Sequence, residues 1–325
     1  MGQASAFLWA YVFHGGVAHA LTDQAFEAAS ESPEAWTWVH FPLSDQRSRL
    51  YLEGLDELPA AARALILRTE QRVQIQFSGH WAFGVLPDLE RDLDGRPVGS
   101  GRLLFAFDGH RLITARRQAL RIVDEVRREA QGGVLIASPA EAIVRFIERY
   151  VDVSEQRLHA AAEALDRVED RMLGDHGEIV NLKLGPTRRG LSRDHREYLG
   201  LRSALHRACV PREDHRVALL SQHLPRLAQE AEDLDREAAS LQERARLLHE
   251  ELDTQITSAT NRSMRALTVM SSLLIPPTLI VGAFGMNLSG IPFADSAGGF
   301  VAASALCLAV VAGAYWVLRR MRIMP

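Results

Sequence analysis

The chain has 325 residues, with 37 basic side chains against 41 acidic ones and a formal charge of -4. That balance lacks the basic excess of a nucleic-acid binder. Cys209 and Cys307 are the only cysteines, which excludes a disulfide framework and fits a reducing compartment. The length suffices for one sizeable soluble core plus further elements.

Residues 6–13 are apolar, but no Lys or Arg precedes them, so a signal peptide is disfavoured. Alternation and the Gly15-Gly16 pair predict a strand and hairpin instead. Further strands are expected at 36–41, 73–77, 81–86, 103–107 and 112–115, each short and rich in β-branched or aromatic residues. Helices are expected at 23–31, 45–52, 57–69 and 118–130. The polar stretch 86–101, with Asp-Gly and Arg-Pro turn signals, reads as a surface loop. Residues 1–135 therefore form an α/β domain. It contains no P-loop, no GxGxxG after a strand and no GxSxG, so no enzyme signature is present. His40, His80 and His110 stand singly and read as structural or surface residues.

Residues 136–224 read as helical. Ser138-Pro139-Ala140-Glu141 is a strong helix start, with Ser as cap, Pro first and Glu at the third position. That helix is expected to reach about residue 175, and another to span 189–209. His206, Cys209 and His215 are candidate ligands for a soft divalent ion, although Pro211 interrupts the helical geometry between the second and third.

From Pro225, taken as a first-turn proline, Leu227, Ala231, Leu234, Ala238, Leu241, Ala245, Leu248 and Leu252 repeat at four and three. This is a heptad seam, and 225–265 reads as a coiled-coil stalk. Nine acids and four arginines fall between residues 225 and 260. They read either as an ordinary solvated face or as a negative funnel that concentrates cations. The stalk continues without charge into 266–284, which has the ~20-residue length needed to cross a bilayer. Asn261, Met264, Leu267, Thr268, Ser271, Ile275, Thr278 and Gly282 gather on one side of this helix. A helix surrounded by lipid gains nothing from such a polar stripe. A second uncharged run, 299–318, follows after the joint 285–298, and the basic tail 319–325 ends the chain. Arginines flank the outer ends of the two runs and none lies in the joint, so both termini are expected in the cytoplasm. On these features alone a simple tail anchor is an equal reading.

Gly285-Met286-Asn287, at the end of a Pro-containing apolar helix and ahead of a second one, resembles the signature of the CorA family of divalent-cation transporters. Ser289-Gly290-Ile291-Pro292 looks like the continuation found in that family's ZntB-like, zinc-transporting branch. Leu288, Ser289 and Phe293 stand where the magnesium branch typically carries acidic residues. The resemblance implies an α/β cytoplasmic domain, long stalk helices and a two-helix membrane hairpin assembled as a homopentameric funnel in the inner membrane. It also implies an ion-selectivity loop at Gly285, Met286 and Asn287, and a pore lined by the stripe from Asn261 to Gly282. Zn²⁺ is the expected cargo and no cofactor is expected. A CorA-like Mg²⁺ or Co²⁺ channel and a non-transporting membrane-anchored interaction protein are the alternatives.

Overall fold

The computed structural model describes residues 6–21, 35–91, 97–173, 184–210, 214–286 and 297–320. The first body, residues 1–170 with 183–246, is built on a seven-stranded mixed sheet. Its strands are β1 (Trp9–His14), β2 (Val17–Ala20), β3 (Ala35–Pro42), β4 (Gln74–Ser78), β5 (Trp81–Arg91), β6 (Pro97–Phe107) and β7 (Arg111–Arg116). They lie in the order β2-β1-β3-β7-β6-β5-β4, and all neighbours are antiparallel except β3 and β7. Gly15 and Gly16 take positive φ in the β1–β2 turn, as the Gly-Gly pair predicted.

Alternation along the strands gives the sheet two apolar faces. Val39, Phe41, Phe83, Val85, Leu104 and Ile113 bury one face under α1 (Gln46–Glu53) and α2 (Ala60–Leu67). The other face meets α3 (Arg121–Gln131) and α4 (Pro139–Leu173). There Trp38 packs edge-on against Phe146 and its indole N–H donates to Thr114 Oγ1 at 2.8 Å. Fully buried His40 sits beside Thr114 at 2.8 Å. Burial first, then Arg116 and Arg127, holds its pKa well below the ordinary histidine value, so it is a neutral core residue.

Two expectations need correction. Residues 86–91 and 97–101 belong to strands and not to a surface loop: β5 runs on to Arg91 and β6 begins at Pro97, paired from Leu86↔Leu103 to Arg91↔Pro97, while residues 92–96 lie outside the described residues. Two turn-prone residues of these strand ends have other uses. Asp88 points inward, 1% exposed, and takes backbone N–H bonds at the start of α3. Gly101 is required by close approach, since a Cβ there would lie 2.3 Å from Leu120 Cδ2. The second correction concerns the long helix α6, which begins at His215 and not at Pro225. Val217, Leu220 and Leu224 are fully buried and carry the seam back past the proline. The helix expected at 23–31 lies outside the described residues.

The seam itself is as expected: Leu227, Ala231, Leu234, Ala238, Leu241, Ala245, Leu248 and Leu252 are all buried. Helices α4, α5 (Gly185–Ala208) and α6 (His215–Phe284) are cross-linked by charge. Arg157 meets Asp194 at 2.6 Å, Arg202 meets Asp235 at 2.6 Å and Arg244 meets Asp166 at 2.7 Å. At the head of α4, Ser138 Oγ accepts the Glu141 N–H at 3.2 Å, while the Glu141 carboxylate accepts the Ala137 N–H at 2.7 Å. Ser138→Ala is expected to cost about 1 kcal/mol, read as a lowered melting temperature of the purified protein.

Candidate functional site

The second body comprises residues 171–182 and 247–325. It contains the end of α6 and the helix α7 (Ala297–Arg320). Both are long and apolar enough to cross a membrane. Their side chains are bare: Leu279 is 75% exposed, Phe300 81% and Leu308 71%. Exposed surface of this size and kind requires lipid or other protein to cover it.

The two helices run antiparallel. Cys307 Sγ lies 4.0 Å from the Pro277 carbonyl oxygen, and a groove nearer the joint is lined by Val281, Phe284 and Gly285 from α6 and by Phe300, Ala303 and Ser304 from α7. On α6 the residues partly covered here are Val269, Ser272, Leu273, Pro276, Pro277, Ile280 and Phe284. Asn261, Met264, Leu267, Thr268, Ile275, Thr278 and Gly282 are exposed, and Ser271 is half-buried. At 100° per residue the centres of these two sets lie about 150° apart around the helix. The polar stripe is therefore turned away from the second apolar helix, and none of the described residues gives it a partner face.

The hydroxyls on the stripe are pre-oriented. Thr268 Oγ1 donates to the Met264 carbonyl at 2.8 Å and Thr278 Oγ1 donates to the Leu274 carbonyl at 2.7 Å. With each proton committed to the helix backbone, the oxygen lone pairs remain free as acceptors. Between them Ile275, 64% exposed, offers only hydrocarbon. From residue 266 to 284 the helix bears no ionisable group. The stripe can accept hydrogen bonds from a hydration shell, but it supplies no carboxylate, imidazole or thiolate to hold a bare cation.

Of the loop, Gly285 and Met286 are described, both exposed, with the Gly285 N–H closing on the Val281 carbonyl at 2.9 Å. Asn287 and the rest of the joint to residue 296 lie outside the described residues. Of the alternative metal set, the side chains of His206 and Cys209 are described. Among the described residues, no three His, Cys, Asp or Glu side chains could hold a metal ion. His206 turns to Glu232, with Nε2 3.7 Å from the carboxylate, and the side chain of His215 is not described. Burial pushes the Cys209 thiol up, away from the thiolate that a ligand requires. The acids of the stalk are also less free than their number suggests. Glu230, Glu232, Asp233, Asp235 and Glu243 each have an arginine within salt-bridge reach, which favours the ordinary solvated face.

An α/β domain, a helix that passes from buried seam to bare polar-striped segment, and a second apolar helix returning beside it define a two-span integral membrane protein. The family model described as CorA-like Mg2+ transporter protein matches residues 33–320. The chain therefore belongs to the CorA family of divalent-cation transporters. It is 22% identical to the zinc transport protein ZntB of Yersinia enterocolitica over 98% of this chain and 96% of that one. It is 24% identical to the divalent cation transporter CmaX of Pseudomonas aeruginosa over 99% and 98%. The solved structure of full-length CmaX superposes with a TM-score of 0.82 at 21% identity, covering 99% of each chain. The fold expected from the sequence, an α/β domain with long helices and a C-terminal apolar pair, is the fold of these relatives.

Proposed function

We propose that this chain carries Zn²⁺ across the inner membrane through a path formed by several copies of α6, with both termini in the cytoplasm. The observation that carries the reading is the stripe from Asn261 to Gly282, polar on an apolar helix and facing away from α7. One hairpin cannot enclose a path, so the stripe gains partners only when copies surround an axis, and cyclic closure is the ordinary solution. The family resemblance suggests five copies. In such a ring Asn287 supplies amide oxygens at the outer mouth, Thr278 and Thr268 supply rings of hydroxyl acceptors, and Asn261 stands at the inner end. Ile275, Leu267 and Met264 form apolar constrictions that pass an ion only when wetted. Neutral acceptors grip the hydration shell and not the ion, which keeps binding weak enough for release.

Zinc as cargo is supported by the relatives named as zinc transport proteins and by neutral residues at Leu288, Ser289 and Phe293. The decisive experiment is metal flux into vesicles containing the purified protein, with and without a pH gradient. Zn²⁺ uptake that persists in excess Mg²⁺ is the expected result. If Mg²⁺ enters and Zn²⁺ does not, the cargo is magnesium and the zinc assignment fails.

A further inference from the structure

The stripe uses one side of α6. The opposite side, at the other end of the apolar segment, carries charge that orients the hairpin but takes no part in the ion path. Arg262 and Arg265 continue the row of Val269, Leu273, Pro276 and Ile280, the row that faces α7. They therefore lie away from the stripe and cannot line the same path. On α7, Arg319 and Arg320 follow the apolar run. Pro277 and Cys307 stand opposite one another, and Arg265 and Arg319 are each twelve residues from that level, towards the same end. Both are thus about 18 Å along their helices, at ~1.5 Å per residue. Arg262 and Arg320 are within one turn of them. Four guanidinium groups form one belt around the end of the hairpin.

The belt has no internal counter-charge. All four arginines are exposed, and among the described residues none is paired with a carboxylate. The nearest acid before Arg262 is Asp253, nine residues away, or about 14 Å along the helix. Trp316 marks the depth of the belt: it is 60% exposed, and the Arg320 guanidinium lies 5.4 Å from its ring centroid. An exposed indole under an arginine suits the boundary between hydrocarbon and headgroups. The apolar segment from residue 266 to 284 measures about 28 Å, close to the ~30 Å hydrocarbon thickness, so the belt falls at phosphate depth when the segment spans.

We infer that Arg262, Arg265, Arg319 and Arg320 form a binding belt for anionic phospholipid headgroups, each guanidinium donating in the fork geometry that matches phosphate oxygens. The inference rests on the membrane-spanning reading and adds a lipid partner to it. The occupant is a lipid and not a soluble anion, because the belt adjoins bare hydrocarbon on both helices: Met270 is 64% exposed and Trp316 60%. Acyl chains cover that surface while the headgroup meets the arginines.

The test uses the full-length protein in detergent, titrated with phosphatidylglycerol or phosphatidylcholine and read by native mass spectrometry. Phosphatidylglycerol is expected to be retained preferentially. Arg265→Gln combined with Arg319→Gln is expected to weaken that retention on the order of tenfold or more, whereas the corresponding Lys pair keeps most of it. Inorganic phosphate at millimolar concentration is expected not to displace the lipid; displacement would mean a simple anion site and overturn the inference. A carbonate wash of membranes separates the two levels of the argument. If the protein stays in washed membranes but binds both lipids alike, the headgroup belt is overturned and the membrane hairpin stands. If the wash releases the protein, both fall.

Discussion

Asn287→Ala is expected to reduce Zn²⁺ flux by well over tenfold while leaving membrane insertion and oligomeric state unchanged. The size of the effect comes from symmetry. In a ring, one substitution removes an amide acceptor from every copy at once. A hydrogen bond to a hydrated ion is worth ~1 kcal/mol, and more where charge is involved. A loss of 1.4 kcal/mol already changes a rate or an affinity tenfold, so two such contacts exceed that threshold. Asn287→Asp makes the complementary case. It replaces a neutral oxygen by a charged one, so the ion is held more firmly and released more slowly, and flux should fall although binding tightens. Tracer uptake into proteoliposomes measures both, with size exclusion of the detergent-solubilised protein as the control. Unchanged flux in Asn287→Ala would remove the amide ring from the path, whereas no flux above protein-free vesicles in either form would favour the membrane-anchored interaction protein.

The parts of this molecule that were legible in its sequence are those governed by a single uninterrupted period. The seam from Leu227 to Leu252 and the stripe from Asn261 to Gly282 lie on one helix, and helical spacing alone assigns each residue its side. Short strands such as 36–41 and 112–115 were legible for the same reason: alternation places Val39 and Ile113 on one face and Trp38 and Leu112 on the other. The strand extensions at 86–91 and 97–101 were not legible. Asp88 and Gly101 carry the local chemistry of a turn, and only the approach of α3 and its Leu120 cap residue converts them to interior positions. The start of α6 was hidden because Pro225 is as acceptable in a first turn as it proved to be within this helix. Net charge left two readings of the stalk open for a related reason. The stalk acids count as a negative run along the sequence, but Asp235 meets Arg202 and His195 from a helix remote in sequence. Asn287 is a different case, since its importance rests on the resemblance of a tripeptide and not on any periodicity.

Asp88 also provides the largest effect expected outside the membrane. α3 has no side-chain cap of its own at Leu120. The carboxylate of Asp88, on β5, fills that place. Oδ1 accepts the N–H of Ile122 at 2.8 Å and Oδ2 accepts that of Val123 at 3.1 Å, while the Leu89 N–H also closes on Oδ1 at 2.5 Å. Asp88→Ala leaves these donors buried without partners at ~1–3 kcal/mol each, so a loss of roughly 3 kcal/mol is expected. The loss should depend on pH. Burial raises the Asp88 pKa from 3.8 to about 7, while the three backbone N–H bonds act in the opposite direction. A carboxyl with a folded-state pKa above its unfolded value contributes stability that is complete below about 3.8 and is lost as pH rises through about 7. Removing it should therefore cost more at pH 5 than at pH 8, by on the order of 2–3 kcal/mol at 1.36 kcal/mol per pKa unit. Hydrogen exchange at the Ile122 and Val123 amides of the full-length protein reads this directly, wild type against Asp88→Ala at both pH values. A greater cost at pH 8 would mean that the helix N-terminus outweighs burial, and that Asp88 caps α3 as a stable carboxylate throughout the neutral range.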